Sequence, residues 1–273
     1  MRVFKIILTI LVAILIVTIF YLATMQNPPS WTGFGQRIIA EKISPSKTLW
    51  DWLDLLIIPV AVGLLGWSFA QIEKVKTQKR EEERAQKEIL KSFFESMTNL
   101  IIVHNLQASP TQQTLAIARA IVNTAFNNLN GQRKGQVLQF LYESDLIDYD
   151  PKLLLLGVNL QNAILDEIVL GKSEIKGAFF NKASIQRANL KGANLIGCDF
   201  SLANFSHSLL EGANLSYTNL SKSKLKNMDL RSVNFEGANL NGANLKGSKI
   251  SYAQLESIFE KDKIKLTKSK KNE

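Results

Sequence analysis

Catalysis and metal binding draw mostly on imidazoles, thiolates and converging carboxylates, and this chain is poor in all three. It has 2 His and 1 Cys in 273 residues. His104 stands in an apolar run with helical spacing, and His207 follows Ser206 in a polar stretch, so each reads as a satisfied or solvated side chain. Cys198 occupies a position that elsewhere holds small residues, which reads as packing and not as a nucleophile or metal ligand. A single Cys also excludes an intrachain disulfide. Gly131 to Gly135 lacks the G-x-x-x-x-G-K-S/T spacing of a phosphate loop and a strand before it, so it reads as a turn between helices. The expectation is a non-enzyme, with no catalytic, cofactor-binding or metal-binding residues.

The informative residues are apolar and periodic. Every fifth position from Leu155 to Leu255 is Leu, Ile or Phe, twenty-one in phase without an insertion. A period of five fits neither the 3.6 of an α-helix nor the alternation of a strand. Unbroken over a hundred residues, it describes a solenoid in which each repeat buries its apolar residue against the next coil. The expected repeat core includes Leu160, Leu165, Phe180, Leu190, Leu195, Phe200, Phe205, Leu210, Leu215, Leu220, Leu230, Phe235, Leu240 and Leu245. Two residues before each core position the side chain is mostly small, as at Ala163, Ala178, Ala193, Ala203, Ala213 and Ala243, with larger exceptions at Leu153, Val158, Ile168, Met228 and Val233. A tightly turned inner corner leaves little room, whereas the central side chain reaches the axis and fills it. Between the two sits a polar residue, most often Asn (Asn159, Asn189, Asn214, Asn239), which tolerates turns and bonds nearby backbone groups.

Runs such as Gly192-Ala-Asn-Leu-Ile196, Gly212-Ala-Asn-Leu-Ser216 and Gly237-Ala-Asn-Leu-Asn-Gly-Ala-Asn-Leu-Lys246 resemble the pentapeptide-repeat family across residues 151–258. The resemblance implies a right-handed, four-sided β-helix with one pentapeptide per side and twenty residues per coil. That makes about five coils, and a rod roughly 25 Å long at the ~4.8 Å spacing of stacked strands. Residues twenty apart would then stack, Phe180 over Phe200, and Leu170, Leu190, Leu210, Leu230 and Ile250 in one column. Some members resemble DNA in shape and charge and inhibit DNA gyrase with an acidic rod. Here residues 151–258 hold ten Lys and two Arg against three Asp and five Glu, a net +4. The sign is wrong for such mimicry.

The N-terminal end predicts a membrane anchor. No charge occurs between Lys5 and Arg37, and Ile6 to Leu22 is almost wholly apolar, long enough to cross a ~30 Å hydrocarbon layer as a helix. A cleaved signal peptide is the alternative, against which stand the long apolar core and the lack of an A-x-A-like site. A second uncharged stretch runs from Leu55 to Ile72, with Trp50, Trp52 and Trp67 suited to headgroup belts. Lys74, Lys76, Lys79, Arg80, Arg84, Lys87 and Lys91 follow it, so the positive-inside rule places both termini in the cytoplasm. Trp50-Asp-Trp-Leu-Asp-Leu-Leu-Ile-Ile-Pro59 and Leu129-Asn-Gly-Gln-Arg-Lys-Gly135 resemble segments of cyanobacterial membrane-anchored pentapeptide-repeat proteins, with Asn130 where that resemblance implies an acidic residue.

The region between is helical. Glu73 to Glu95 is densely charged with mixed sign, and the pair Glu83–Lys87 at i,i+4 supports a solvated helix. Ser109-Pro110 reads as an N-cap with Pro at N1, opening a helix with Leu115, Ala118, Val122 and Phe126 that stops at Asn130-Gly131. A further helix with Val137, Leu138 and Leu141 ends near Asp148. The expected order is transmembrane helix 1 (1–25), external loop (26–50), transmembrane helix 2 (51–72), charged stalk (73–108), helical cap (109–150), pentapeptide-repeat β-helix (151–258) and basic tail (259–273). The fold class is thus mixed: two transmembrane helices, a small α-helical stalk and cap, and a right-handed quadrilateral β-helix. The expected function is a membrane-anchored scaffold, integral to the plasma membrane or another internal bacterial membrane, that binds an unknown cytoplasmic protein. The alternative is a nucleic-acid-associated or topoisomerase-modulating regulator using the basic rod and tail. The sequence leaves the oligomeric state open.

Overall fold

The computed structural model describes residues 37–39, 42–44, 49–108, 110–147 and 154–257, and side chains between 59 and 254. The chain divides into two compact units, Met1–Lys79 and Arg80–Glu273. In the first unit β1 (Arg37–Ile39) pairs antiparallel with β2 (Lys42–Ser44), Ile38 opposite Ile43. Helix α1 (Leu49–Ile102) begins in this unit and its residues from Arg80 onward belong to the second.

The expectation of an integral membrane protein with two spans and both termini in the cytoplasm is overturned. Among the described residues no helix is long and apolar enough to cross a membrane. The first expected span, Ile6 to Leu22, lies outside the described residues. The second expected span, Leu55 to Ile72, lies within helix α1. Pro59, Gly63, Gly66, Ser68 and Gln71 interrupt it, and Glu73 and Lys74 close it. Its larger side chains, among them Leu65 and Phe69, are exposed.

In the second unit α1 is followed by α2 (Gln112–Asn128) and α3 (Gly131–Glu143). The N-cap of α2 is Thr111, whose Oγ1 accepts from the Thr114 N–H at 3.1 Å. The cap therefore falls two residues after the expected Ser109, which lies outside the described residues. Asn130 caps α3 by accepting from Arg133 N–H at 3.1 Å. The turn between the helices is consequently only Leu129-Asn130, and the segment expected as a turn, Gly131 to Gly135, is the start of α3. Apolar side chains from the three helices, among them Phe93, Met97, Phe126, Val137, Leu138 and Leu141, are buried together.

From residue 154 the chain winds into a four-sided parallel β-helix. Its bridges are parallel and join residues twenty apart, in four columns. The first face runs through Asn159, Phe179, Asp199, Asn219 and Asn239, and the second through Ile164, Ser184, Asn204, Lys224 and Asn244. The third carries Val169, Asn189, Leu209, Asp229 and Lys249, and the fourth Glu174, Asn194, Asn214 and Asn234. Bonds between coils alternate in direction: Leu160 N–H donates to Phe179 O at 2.8 Å, and Phe179 N–H donates back to Val158 O at 3.0 Å. Every corner from Gly157 to Gly247 except that at Ser232 has a residue in the left-handed region, which is why Gly recurs there. At Gly237 a Cβ would meet the Tyr217 ring of the preceding coil at 2.7 Å. The Asn residues do what their type suggests: Asn189, Asn214 and Asn239 each accept from the N–H two residues on, at 3.2, 3.1 and 2.9 Å. Inside, Phe180 and Phe200 stack with ring centroids 4.6 Å apart and planes 18° apart.

The ladder has a gap on the third face. Among the described residues no bridge joins Leu209 to Asp229, and the Leu210 and Asp229 N–H groups lack the backbone acceptors that their counterparts find one coil away. Gly212 N–H turns to Ser232 Oγ at 3.0 Å. The coil below the gap carries two oversized corner residues in succession, Met228 and Val233, both buried.

Candidate functional site

The residue types that do chemistry are dispersed or interior. Cys198 is buried, its Sγ donates to Ile175 O at 3.0 Å, and burial pushes its thiol up to about 12. His207 is an exposed corner residue with φ 66°. His104 lies beyond the end of α1 and is exposed, not within an apolar helical run as its spacing suggested. No group of three or more His, Cys, Asp or Glu able to hold a metal ion occurs among the described residues. An open groove of about 520 Å³ between α1 and α2 is lined by Ile89, Phe93, Ile121 and Ala125, with Glu88 the only charged group. The expected core residues Leu160, Leu165, Phe180, Leu190, Leu195, Phe200, Phe205, Leu210, Leu215, Leu220, Leu230, Phe235, Leu240 and Leu245 all point inward, none more than 3% exposed. They build the rod and leave its surface to others.

The two surfaces with something to offer are the rod's open end and its walls. At the first coil, outward-facing backbone groups have no preceding coil to bond, and α3 and the turn that follows it supply partners. Ile164 N–H donates to Gly131 O at 2.9 Å and Glu174 N–H to Ile147 O at 2.6 Å. Lys134 Nζ donates to Gln161 O at 3.1 Å, and Tyr142 Oη to Gly171 O at 3.2 Å. This closeness needs Gly131 and Gly135. A Cβ on Gly131 would run into Asn162 O, and one on Gly135 would lie 2.5 Å from Ile164 O.

Helix α1 is pinned to the same structure. Gln86 Nε2 donates to Asn128 O at 2.9 Å while its Oε1 accepts from Asn130 N–H at 2.8 Å. Glu83 pairs with Arg133 at 2.6 Å, not with Lys87 as the i,i+4 spacing suggested. The Arg133 side chain is nearly buried and requires a carboxylate, whereas Lys87 is solvated. The Arg133 guanidinium, by hydrogen bond and charge, holds the Glu83 carboxyl below its usual range. Burial lowers the Lys134 ammonium.

The walls carry flat polar ladders. On the first face Asn181 Nδ2 donates to Asp199 Oδ2 at 2.5 Å and to Ser201 Oγ at 2.7 Å. Acidic side chains are mostly matched within or between coils: Glu174 with Lys176, Glu167 with Arg187, Glu211 with Lys191 and Asp229 with Arg231. The Arg231 guanidinium beside Asp229 holds its carboxyl down at about 2.

Fold and wall together define a repeat protein of the parallel β-helix class, with its chemistry-bearing side chains scattered and its surface regular. Residues 183–259 match the family profile described as pentapeptide repeat region, and residues 155–192 match that described as pentapeptide repeats. Residues 155–259 are thus a pentapeptide-repeat region, and such repeats imply a right-handed β-helix. No curated protein matches it in sequence. Among solved structures it is similar to HetL, a pentapeptide repeat protein involved in heterocyst differentiation regulation from the cyanobacterium Nostoc sp. strain PCC 7120. That match has 23% identity, 40% of this chain and 54% of the other, and a TM-score of 0.32. The chain thus spans about half the length of HetL. Another pentapeptide repeat protein of Nostoc, alr5209, matches at 23% identity over 34% of this chain and 84% of that one, with a TM-score of 0.22. A third match is a pentapeptide repeat protein from the Arabidopsis thaliana thylakoid lumen, at 28% identity over 31% and 56% of the two chains, with a TM-score of 0.13.

Proposed function

We propose that this chain is a non-enzymatic interaction protein that presents the outer wall of its β-helix, as a rigid scaffold surface, to a protein partner. The observation that carries this reading is the sorting of side chains in the solenoid. Every fifth residue and its mostly small companion fill the interior, while the outward positions form four faces of paired backbone whose side chains are mostly polar, with Ile164, Val169, Phe179 and Leu209 as exposed apolar exceptions. Such a surface is preorganised, so a partner that binds it need not order it first. The helical segment acts in this reading as a cap, supplying the bonds that a second chain would otherwise find at the open first coil.

Photo-crosslinking from one outward position on each face, Asn239, Asn204, Asn189 and Asn214, tests the proposal in native cells. One face should give a discrete, saturable protein adduct. Absence of a protein adduct from all four faces would sink it.

A further inference from the structure

We propose that the second face of the β-helix, over its last two coils, is a docking site for an acidic polypeptide segment; this rests on the interaction reading above and names the chemistry of the partner. Reading that face coil by coil, the outward position after the core residue is Asp166, Gln186, Ser206, Lys226 and Lys246. Beside it run Ile164, Ser184, Asn204, Lys224 and Asn244, and Lys222 stands at the adjoining corner with φ 57°. The face therefore changes from acidic beside α3 to basic at the opposite end.

The basic end is uncompensated. Lys222, Lys224 and Lys246 are exposed and Lys226 is half-buried. The acids nearest in sequence are engaged elsewhere: Asp229 with Arg231 at 2.5 Å, and Glu236 accepting from Tyr217 Oη at 3.3 Å. Among the described residues no ion pair involves any of these four lysines, in contrast to Lys176, Arg187, Lys191 and Arg231 of the same solenoid. Four like charges held by a rigid backbone within two coils repel one another and attract an anionic partner.

The spacing favours an extended polypeptide. Lys224 and Lys226 lie two residues apart on one strand, ~7 Å, and Lys226 and Lys246 one coil apart, ~4.8 Å. Alternate side chains of an extended acidic segment repeat at the same ~7 Å, and the half-buried Asn204 and Asn244 supply neutral polar groups beside them. Duplex DNA fits less well. The basic stretch covers only ~10 Å of the rod, with no Arg for bidentate contacts and no aromatic side chain for stacking a base.

Fluorescence anisotropy of the full chain with a labelled Asp/Glu-rich peptide tests this. Binding should be saturable and weaken steeply with salt. The triple substitution Lys224→Gln, Lys226→Gln, Lys246→Gln should lower affinity about tenfold or more, with thermal unfolding unchanged. Replacing Lys261, Lys263, Lys265, Lys268, Lys270 and Lys271 by Gln should leave most of the binding intact. Loss from that second set alone would overturn the site. Tighter, lysine-dependent binding of duplex DNA or of anionic vesicles at the same salt would overturn the choice of partner. If the triple variant binds peptide normally while wall crosslinking still yields a protein adduct, the docking site fails and the interaction reading stands. With no protein adduct from any face, the interaction reading fails instead.

Discussion

The two ends of the β-helix are closed by different means. The first coil is met by α3 and the turn after it, which bring four polar contacts to its exposed backbone, with an apolar core shared among the three helices behind them. At the last coil the described closure is a short helix, α4 (Tyr252–Ser257), with Gln254 Nε2 donating at 2.6 Å to Leu230 O and Val233 O. In a solenoid each coil is held only by its neighbours, so stability is shared between coils and limited by the ends. The thinner end should therefore open first, and the helical end should be the last to lose its amide protection.

Predictions follow from that contrast. A cavity midway along the rod belongs to neither end and sets the scale. Leu210→Ala should destabilise by about 2–5 kcal/mol through lost transfer energy and the void left behind; an unchanged unfolding midpoint would mean that Leu210 does not fill the axis. At the helical end Gly131→Ala forces α3 away from Asn162 O and should cost about 1–3 kcal/mol, with faster exchange at the Ile164 and Glu174 amides. At the other end Gln254→Ala removes the two bonds that Nε2 donates to Leu230 O and Val233 O and the two that Oε1 accepts from Ser251, and should cost about 1–2 kcal/mol, with faster exchange confined to the final coil. If both variants instead melted the rod as one unit, the ends would not be independent.

Acid should tell the ends apart as well. The Glu83 carboxyl is held below its ordinary 4.5, so its contribution is present in full above that pH and is lost as pH falls through the lowered value. Amide exchange at the helical end should accelerate over that acid range in the native chain, and the range should vanish in Glu83→Gln. The smallest expected effect is a gain. Ser223 Oγ is buried without a hydrogen-bond partner among the described residues, so Ser223→Ala should stabilise by up to about 1 kcal/mol. A loss on that scale would reveal a partner for the hydroxyl.

Much of the rod was legible because its rule is local. A side chain that must fill the axis recurs at a fixed interval, so Leu160 or Phe235 can be placed inward from spacing alone. The interior of Cys198 was legible for the same reason. Gly131 and Gly135 were misjudged as a turn, since sequence cannot distinguish a glycine that bends the chain from one that lets two backbones touch. Thr111 displaced Ser109 as the cap because capping depends on which hydroxyl reaches an N–H, a matter of one or two residues of register. The lysine gradient was present in the sequence, but only if it is read in columns of twenty. The expected membrane spans rested on apolar composition alone, and among the described residues no helix is long and apolar enough to cross a membrane. The gap beside Leu209 had no distinguishing signal, because Val158 and Ile168 are as oversized as Met228 and Val233 and stand beside intact bridges.

Because neighbours across the ladder are twenty residues apart, chain length and direction are coupled in this molecule. Deleting one pentapeptide would rotate everything beyond it by a quarter turn about the rod axis, so that Lys224 and Lys246 would look out from a different side relative to the helical end. Deleting four would remove one coil, shorten the rod by ~4.8 Å and leave every remaining side chain facing as before. Changes in steps of twenty adjust reach, and changes in steps of five adjust aim.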